Sequence, residues 1–315
     1  MLAGCASTPQ STALHGAPPP GLPAGIELAQ TPFFPQTRYQ CGPAALATVL
    51  ATHGIDVRPE ALSTRLYVPA LRGSLRQEIT ATARRYGMLA YPLQASLEDL
   101  LGEIAHGNPV LVFQNLGLRW LPRWHYAVAV GYSLPDDEII LRSGTTRRWR
   151  SRLSTFERTW ARGDHWAQVI VPAGQIPATA QPVPYLRAAH DLETGTQERA
   201  ARAALEAATR HWPDVALAWM AYGNNRYAAA DHAVAAQAFR RATRLAPEAS
   251  EGWNNLAYAL LRTGCPQQAR RAARCAVSLS PGATAYQATL KEIHAAANAA
   301  DGEHCEAVQC RAPAE

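Results

Sequence analysis

The pattern of apolar and polar positions divides the chain into two structural regions. In the first, apolar residues recur at helical spacing and predict helices near 41–53, 58–66, 74–86, 96–105 and 154–162. Continuous or alternating apolar runs near 88–92, 109–114, 125–132, 138–142 and 166–171 predict strands. Helices followed by an antiparallel set of strands predict an α+β domain over residues 27–173.

The second region changes to a longer period. Trp219 and Trp253 are separated by 34 residues (253 − 219), and the same step joins Pro247 to Pro281. This period, with small residues at fixed offsets between, is typical of tetratricopeptide repeats. It predicts an all-α solenoid over residues 182–298, with repeats at 182–215, 216–249 and 250–283 and a capping helix. The Pro- and Ala-rich residues 174–181 are expected to be a linker.

In such a solenoid the first helix of each repeat lines a concave face. Surfaces of this kind commonly bind extended peptides or partner helices, so a protein partner is expected there. By the register of the repeat, the lining residues are Met220, Asn224, Tyr227, Asn254, Tyr258 and Leu261.

Composition indicates a globular protein with room for two cores. Hydrophobic residues make up 48% of the 315 residues and charged residues 17%. The net charge of +5 is carried largely by scattered arginines, and the one dense run is 147–152. One short basic run is typical of a solvated surface, so nucleic acid is not expected as a partner. No stretch of about 18 apolar residues predicts a transmembrane helix.

The N-terminus predicts a lipid anchor. Leu2-Ala3-Gly4-Cys5 resembles the lipobox of bacterial lipoproteins, in which the cysteine is lipidated, although a chance match is the alternative. The Ser-, Pro- and Gly-rich residues that follow are expected to be a flexible tether, so residues 1–26 are assigned to lipobox and tether. The expected location is the periplasmic side of the cell envelope, lipid-anchored at Cys5 in the outer membrane.

Four cysteines fall near the C-terminus, in the last repeat and in the tail at 299–315. In an envelope protein they predict one or two disulfides, with four free thiols as the alternative and the pairing left open. Their spacing fits no zinc site, and neither metal nor cofactor is expected. The four residues are Cys265, Cys275, Cys305 and Cys310.

Cys41 is the candidate nucleophile. It directly precedes Gly42-Pro43 and the first predicted helix, and proline is favoured in a first helical turn. The partial positive charge of a helix N-terminus stabilises a thiolate and lowers the pKa of the thiol. The alternative is a small buried apolar residue, which is the usual role of a lone cysteine.

Two motifs give this cysteine a context. Gln36 precedes Cys41 by five residues in Gln-x4-Cys-Gly-Pro-Ala-Ala-Leu, and His125 opens the later run His-Tyr-Ala-Val-Ala-Val-Gly-Tyr. Residues 31–171 thereby resemble the papain-like bacteriocin-processing peptidases, also called double-glycine leader peptidases. The resemblance implies a papain-like fold, Cys41 as nucleophile, His125 as general base and Gln36 in the oxyanion hole. Gln40 is the competing oxyanion residue, at the wrong offset for the family.

The sequence departs from this family at the residue that orients the histidine. The family usually has an aspartate there, whereas this chain has Ser143. Either Ser143 orients His125, or a carboxylate such as Asp136 or Asp137 reaches in. The primary expectation is an envelope cysteine peptidase acting on a peptide or protein substrate. The alternatives are a catalytically weak adaptor that binds peptides, and an acyl transferase or amidase using the same Cys-His pair.

Overall fold

A computed structural model describes residues 8–36, 39–71, 73–195, 197–296, 300–302 and 304–310. The chain forms two compact units, Met1–Ala200 and Ala201–Glu315. Among the described residues, no helix is both long and apolar enough to cross a membrane.

The first unit contains seven α-helices and seven strands among its described residues. The helices are α1 (Pro9–Gly16), α2 (Cys41–Thr52), α3 (Pro59–Leu66), α4 (Arg76–Arg85), α5 (Leu97–Ala105), α6 (Leu153–Ala161) and α7 (Pro182–Thr194). The strands are β1 (Gly25–Glu27), β2 (Met88–Pro92), β3 (Val110–Asn115), β4 (Trp124–Ser133), β5 (Glu138–Ser143), β6 (Thr146–Arg152) and β7 (Ala167–Pro172).

All seven strands form one antiparallel sheet in the order β2-β7-β3-β4-β5-β6, and β1 pairs with the end of β4. Strand β4 is central, because it pairs with β3 on one side and β5 on the other. Its middle is buried throughout, which explains the unbroken apolar run in the sequence. Strand β6, which carries the basic run, is exposed at the edge of the sheet, where charged side chains discourage pairing with another chain.

Helix α2 lies in the core and packs against β4. Its residues 42–50 are all buried, and Leu46, Val49 and Leu50 contact the same cluster as Val128 and Val130 of β4. A helix that is apolar on all sides is stable only when it is surrounded by protein. This packing fixes the start of α2 against the start of β4.

The tether predicted before residue 26 is corrected by the structure. Residues 9–16 form α1, and Ser11 and Leu14 are buried. The carboxylate of Glu157, itself buried, accepts hydrogen bonds from the Gln10 and Ser11 backbone N–H groups and from Ser11 Oγ, at 2.7–3.0 Å. A buried carboxylate requires such donors, and α1 supplies them at its N-terminus, where negative charge is favoured. Cys5 lies outside the described residues.

The linker predicted at 174–181 also packs on the first unit. Glu103 is fully buried, and its carboxylate accepts hydrogen bonds from the backbone N–H groups of Ala178 and Thr179 and from Thr179 Oγ1. Helix α7, expected to open the first repeat, packs against β2. The boundary between the compact units therefore falls after α7, inside the predicted repeat 182–215.

The second unit is a helical repeat region. Its helices are α8 (Glu198–His211, which begins just before the division), α9 (Ala216–Ala228), α10 (His232–Leu245), α11 (Ser250–Arg262), α12 (Pro266–Leu279) and α13 (Thr284–Ala296). One hydrogen bond recurs every 34 residues, from a side-chain N–H to a proline carbonyl six residues earlier. The donors are Trp219, Trp253 and Gln287, and the acceptors are Pro213, Pro247 and Pro281.

The four C-terminal cysteines form two disulfides, Cys265–Cys305 and Cys275–Cys310. They attach the tail to α12 and to the residue before it. Val308 of the tail is buried in the core of the second unit, and its N–H donates to Gln268 Oε1 at 2.8 Å. The predicted disulfides are present, and the pairing left open by the sequence is decided.

Candidate active site

Cys41 is the first residue of α2, and its side chain is partly exposed. The backbone N–H groups of Tyr126, Gly42 and Cys41 itself point to the sulfur and stabilise its anion. The Tyr126 amide reaches the sulfur because α2 packs against β4. The nucleophile predicted from the sequence therefore lies beside the residue that follows His125.

The expected lowering of the Cys41 pKa is not what the structure shows. Burial of the sulfur raises the pKa of the thiol above its ordinary value, and the three backbone N–H groups offset only part of this effect. Desolvation disfavours the charged form of any acid, and here it outweighs the field of the helix N-terminus. Cys41 is consequently a neutral thiol in the resting protein.

His125 is the second residue of β4, and its Nε2 lies 2.8 Å from Ser143 Oγ. Ser143 ends β5, and β4 and β5 are neighbours whose diagonal residues on one face come within reach of each other. In the tautomer in which Nε2–H donates to Ser143 Oγ, Nδ1 carries the free lone pair. Within the described part of the chain, neither Nδ1 nor the Cys41 sulfur is engaged in a hydrogen bond with the other.

The His125 imidazole is neutral at neutral pH. Burial and, to a smaller extent, the positive charge of Arg123 together lower its pKa from 6.5 to about 4. Among the described residues, no carboxylate opposes these effects. Sequence reasoning missed Arg123, although its position two residues before the histidine was a usable signal.

Asp136 and Asp137 do not orient His125. They lie in the turn between β4 and β5, at the end of β4 that is opposite His125. Asp136 accepts a hydrogen bond from Ser133 Oγ, and Asp137 pairs with His15. The eight residue-to-residue steps of strand from His125 to Ser133 span about 25 Å at the usual rise per residue.

Gln36 is held between the two strands that carry His125 and Ser143. Its Nε2 donates to the Tyr126 carbonyl at 3.3 Å, and its Oε1 accepts from the Gly144 N–H at 3.1 Å. Its own N–H also donates to the Gly144 carbonyl at 2.9 Å. One N–H of the side-chain amide is left for a substrate. Gln40, the competing residue, precedes α2 and forms no side-chain cap on it.

Gly42 and Ser74 form a close contact behind the nucleophile that the sequence did not reveal. A Cβ on Gly42 would lie 2.5 Å from Ser74 Oγ and 2.7 Å from Ser74 Cβ. Ser74 Oγ is a buried hydroxyl that has no hydrogen-bond partner among the residues that the structure describes, whereas the Ser74 carbonyl accepts from Tyr126 Oη at 3.1 Å. The glycine after the cysteine therefore allows residue 74 to approach α2.

The predicted lining of the repeat region is only partly open. Met220, Tyr227 and Leu261 pack at the edge of the core of the second unit. Asn224 accepts a hydrogen bond from Asn255, and Tyr258 Oη donates to Glu292 at 3.1 Å. The side-chain group Cys265, His304 and Cys305 resembles a metal cluster, but its two sulfurs are bonded to each other and provide no thiolate ligand.

A comparison with protein-family models finds one match in the first unit. Residues 28–165 match the family described as Peptidase_C39 like. The segment has a papain-like fold, with helices packed on an antiparallel sheet, and a helical repeat region follows it. No curated protein matches the chain.

Several solved structures resemble the chain over slightly less than half of its length. A putative C39-like peptidase from Bacillus anthracis has 18% identity, covers 47% of this chain and 97% of its own, and gives a TM-score of 0.40. A double glycine motif protease from an AMS/PCAT transporter, in complex with the leader peptide, has 20% identity, coverages of 46% and 93%, and a TM-score of 0.35. The peptidase domain of Streptococcus ComA has 20% identity, coverages of 45% and 99%, and a TM-score of 0.38.

Proposed function

We propose that this protein is a cysteine peptidase that hydrolyses peptide bonds in a peptide or protein substrate. The observation that carries the proposal is the hydrogen bond between His125 and Ser143, beside a helix-start cysteine in a C39-like domain. Cys41 is the nucleophile and His125 the general base. Ser143 positions the imidazole, and Gln36 donates to the oxyanion.

The neutral resting pair defines the first step. As Sγ of Cys41 bonds to the substrate carbonyl carbon, its proton moves to Nδ1 of His125, and the carbonyl electrons move to oxygen. The free N–H of the Gln36 amide and a backbone N–H at the start of α2 stabilise that oxyanion. The leaving amine then takes the proton from His125, and water hydrolyses the thioester with His125 again as base.

Ser143 makes this pair weaker than one with a carboxylate. The Ser143 hydroxyl can accept from Nε2–H, which leaves Nδ1 free to take the thiol proton, but it stabilises the developing imidazolium less than an anion does. We therefore expect slower turnover than a Cys-His-Asp arrangement would give. Exclusion of water by bound substrate strengthens the amide contacts to the sulfur and the oxyanion.

The test is a cysteine-directed electrophilic probe followed by mass spectrometry, together with turnover of a peptide library. Wild type should be labelled at Cys41 and should cleave peptides. Cys41→Ala and His125→Ala should each lose about 10³-fold or more in kcat. His106→Ala is the matched control and should behave as wild type, because it alters an exposed histidine at the end of α5. Equal turnover by wild type and Cys41→Ala would contradict the proposal.

A second candidate is a peptide-binding adaptor with the same fold. It is favoured by the raised pKa of Cys41 and by the absence of a carboxylate bonded to His125 among the described residues. The adaptor predicts that peptides selected by affinity bind wild type and Cys41→Ala equally and remain uncut after long incubation. Cleavage that is lost in Cys41→Ala eliminates it.

We further propose lipidation at Cys5 and a location in the cell envelope, with the repeat region docking a protein partner as tetratricopeptide repeats do. The lipobox-like residues before Cys5 and the 34-residue hydrogen-bond repeat support these two parts. Labelling of cells with a fatty-acid analogue should mark wild type and not Cys5→Ser. Unlabelled wild type would remove the anchor from the proposal and leave the peptidase part untouched.

A further inference from the structure

The loop between β3 and β4 exposes an unusual amount of apolar surface. Trp120 is 79% exposed, Leu121 62% and Leu118 54%, and Leu116 is also exposed. Trp124, at the start of β4, is half-exposed beside His125. We call residues 116–124 the apolar loop. Contiguous large apolar side chains in solvent mark an interaction site.

The apolar loop is held in one shape by hydrogen bonds. Its tip is a tight turn in which the backbone groups of Leu118 and Leu121 bond to each other in both directions, at 3.1 and 3.2 Å. The side chain of Asn115, which is 2% exposed, accepts from the Gly117 and Arg123 N–H groups at 2.9 and 2.8 Å. A buried polar side chain thus positions the loop while its apolar side chains remain in water.

The sequence around the apolar loop carries positive charge and no negative charge. Between Glu103 and Asp136 there is no acidic residue, and the loop contains Arg119 and Arg123. Trp and Leu beside Arg is the composition of protein segments that lie at the headgroup boundary of a membrane, where the indole enters the interface and the guanidinium contacts lipid phosphate. Anionic lipids attract such residues.

The shape of the loop favours a membrane over an apolar peptide. Small-molecule sites are concave and bury most of their ligand, and amphipathic peptide helices bind in apolar grooves. Here Trp120, the most exposed large apolar residue among those described, is at the tip of a hairpin turn, so it projects from the protein. A projecting apolar tip can enter a fluid lipid surface without a matching cavity.

We propose that the apolar loop inserts into the headgroup region of an anionic phospholipid membrane. The apolar loop and the His125–Ser143 pair lie at the same end of the sheet, because Trp124 directly precedes His125. Insertion therefore turns the candidate active site toward the membrane, and substrates are chains that emerge at its surface. The proposal does not depend on a lipid at Cys5.

The test is sedimentation of the full chain with lipid vesicles, using Cys5→Ser/Cys41→Ala as the parent so that neither lipidation nor hydrolysis contributes. The parent should bind vesicles of phosphatidylcholine with phosphatidylglycerol, and should bind phosphatidylcholine alone more weakly. Trp120→Ser/Leu121→Ser should lower this binding about tenfold or more. Val183→Ser/Leu217→Ser, which changes two other exposed apolar residues, is the matched control and should bind as the parent does.

A second readout does not depend on the fold of the loop variant. Brominated lipids should quench tryptophan fluorescence of the parent, and this quenching should fall in the conservative variant Trp120→Phe. The proposal is overturned if the parent binds no vesicles or if the loop variant binds as tightly as the parent. Normal vesicle binding with weakened peptide binding in the loop variant would instead make the loop a substrate contact.

Discussion

The cysteines that the structure describes are in opposite chemical states in the two units. Among the described residues of the first unit there is a single unpaired thiol, Cys41, at the start of a buried helix. The second has four cysteines, all consumed in the disulfides that attach its tail. In the first unit the sulfur is available for chemistry, and packing of α2 against β4 fixes its position. In the second unit the sulfur atoms themselves fix the position of the tail, through covalent bonds.

The units also differ in how they achieve order. The second is built from a 34-residue period, so each helix packs mainly on its neighbours. The first depends on contacts between residues far apart in sequence, such as Glu157 with Ser11 and Glu103 with Thr179. Contacts between distant residues, as in the first unit, are suited to a function that needs a few side chains at fixed separations.

The largest effect should come from removing a disulfide. Cys275→Ala/Cys310→Ala opens a loop of 35 residues and should lower the free energy of unfolding of the second unit by about 2–4 kcal/mol. Hydrogen exchange should then report faster exchange in α11 and α12. Cys41→Ala is the control for loss of a sulfur and should leave those helices protected. Unchanged protection in the disulfide variant would mean that the repeat packing alone holds the tail.

Substitution of one crowded glycine in each unit should separate an effect on stability from an effect on catalysis. Gly42→Ala brings Cβ to 2.5 Å from Ser74 Oγ, and Gly223→Ala brings Cβ to 2.5 Å from the Phe239 ring. Each should cost about 1–3 kcal/mol of stability through overpacking. Only Gly42→Ala should also lower kcat/KM, because it moves the start of α2.

The controls for that comparison are Gly174→Ala and Gly282→Ala. Neither position has an atom within 4 Å of an added Cβ, and neither has a positive φ. Thermal unfolding should place both within about 0.5 kcal/mol of wild type. Equal kinetic losses in Gly42→Ala and Gly223→Ala would remove the distinction between the units.

The role of Ser143 is tested by two substitutions. Ser143→Ala removes the hydrogen bond to His125 and should lower kcat about tenfold, which corresponds to about 1.4 kcal/mol. Ser143→Asp should recover activity and raise the pKa of His125, because a nearby negative charge favours imidazolium. A pH–rate profile reads both effects. Ser151→Ala, on the neighbouring strand β6, is the control. If Ser143→Ala leaves kcat and the pH–rate profile unchanged, Ser143 does not position the base.

The smallest effect concerns Arg123. Hydrolysis needs neutral His125, so the rate should fall as the pH drops through about 4. Arg123→Gln removes a positive charge that disfavours imidazolium, so the acid limb should move to higher pH. It should stay below 6.5, because burial, the larger cause of the shift, remains. Arg119→Gln makes the same change of charge elsewhere in the loop and should move the limb less; equal shifts would contradict the assignment to Arg123.

Features that depend on neighbouring residues could be predicted from the sequence. Gly54 takes a positive φ after α2, as expected for a glycine that ends a helix. Ser96 caps α5 by accepting the Asp99 N–H. The 34-residue period likewise requires only a count along the chain. These features are local, because each depends only on residues near it in the sequence or on a regular spacing.

Features that depend on distant partners were predicted wrongly or left open. The Pro- and Ser-rich stretch before residue 26 was expected to be a tether, and only the buried carboxylate of Glu157 shows why α1 forms there. The pKa of Cys41 was expected to fall, because the sequence shows the helix start and conceals the depth of burial. The choice between Ser143 and the two aspartates depended on which end of β4 each one occupies.

The sequence by itself determined most of the elements, though not α1, β1 or β6, together with the repeat and the residue types able to act as nucleophile, base and amide donor. Only the tertiary structure decided that Ser143 meets His125, that Gln36 bridges Tyr126 and Gly144, and that both reactive groups rest uncharged. The physical reason is that hydrogen-bond partners and desolvation are set by strand register and by packing against residues far away in the chain. A linear pattern of residues does not contain these distances.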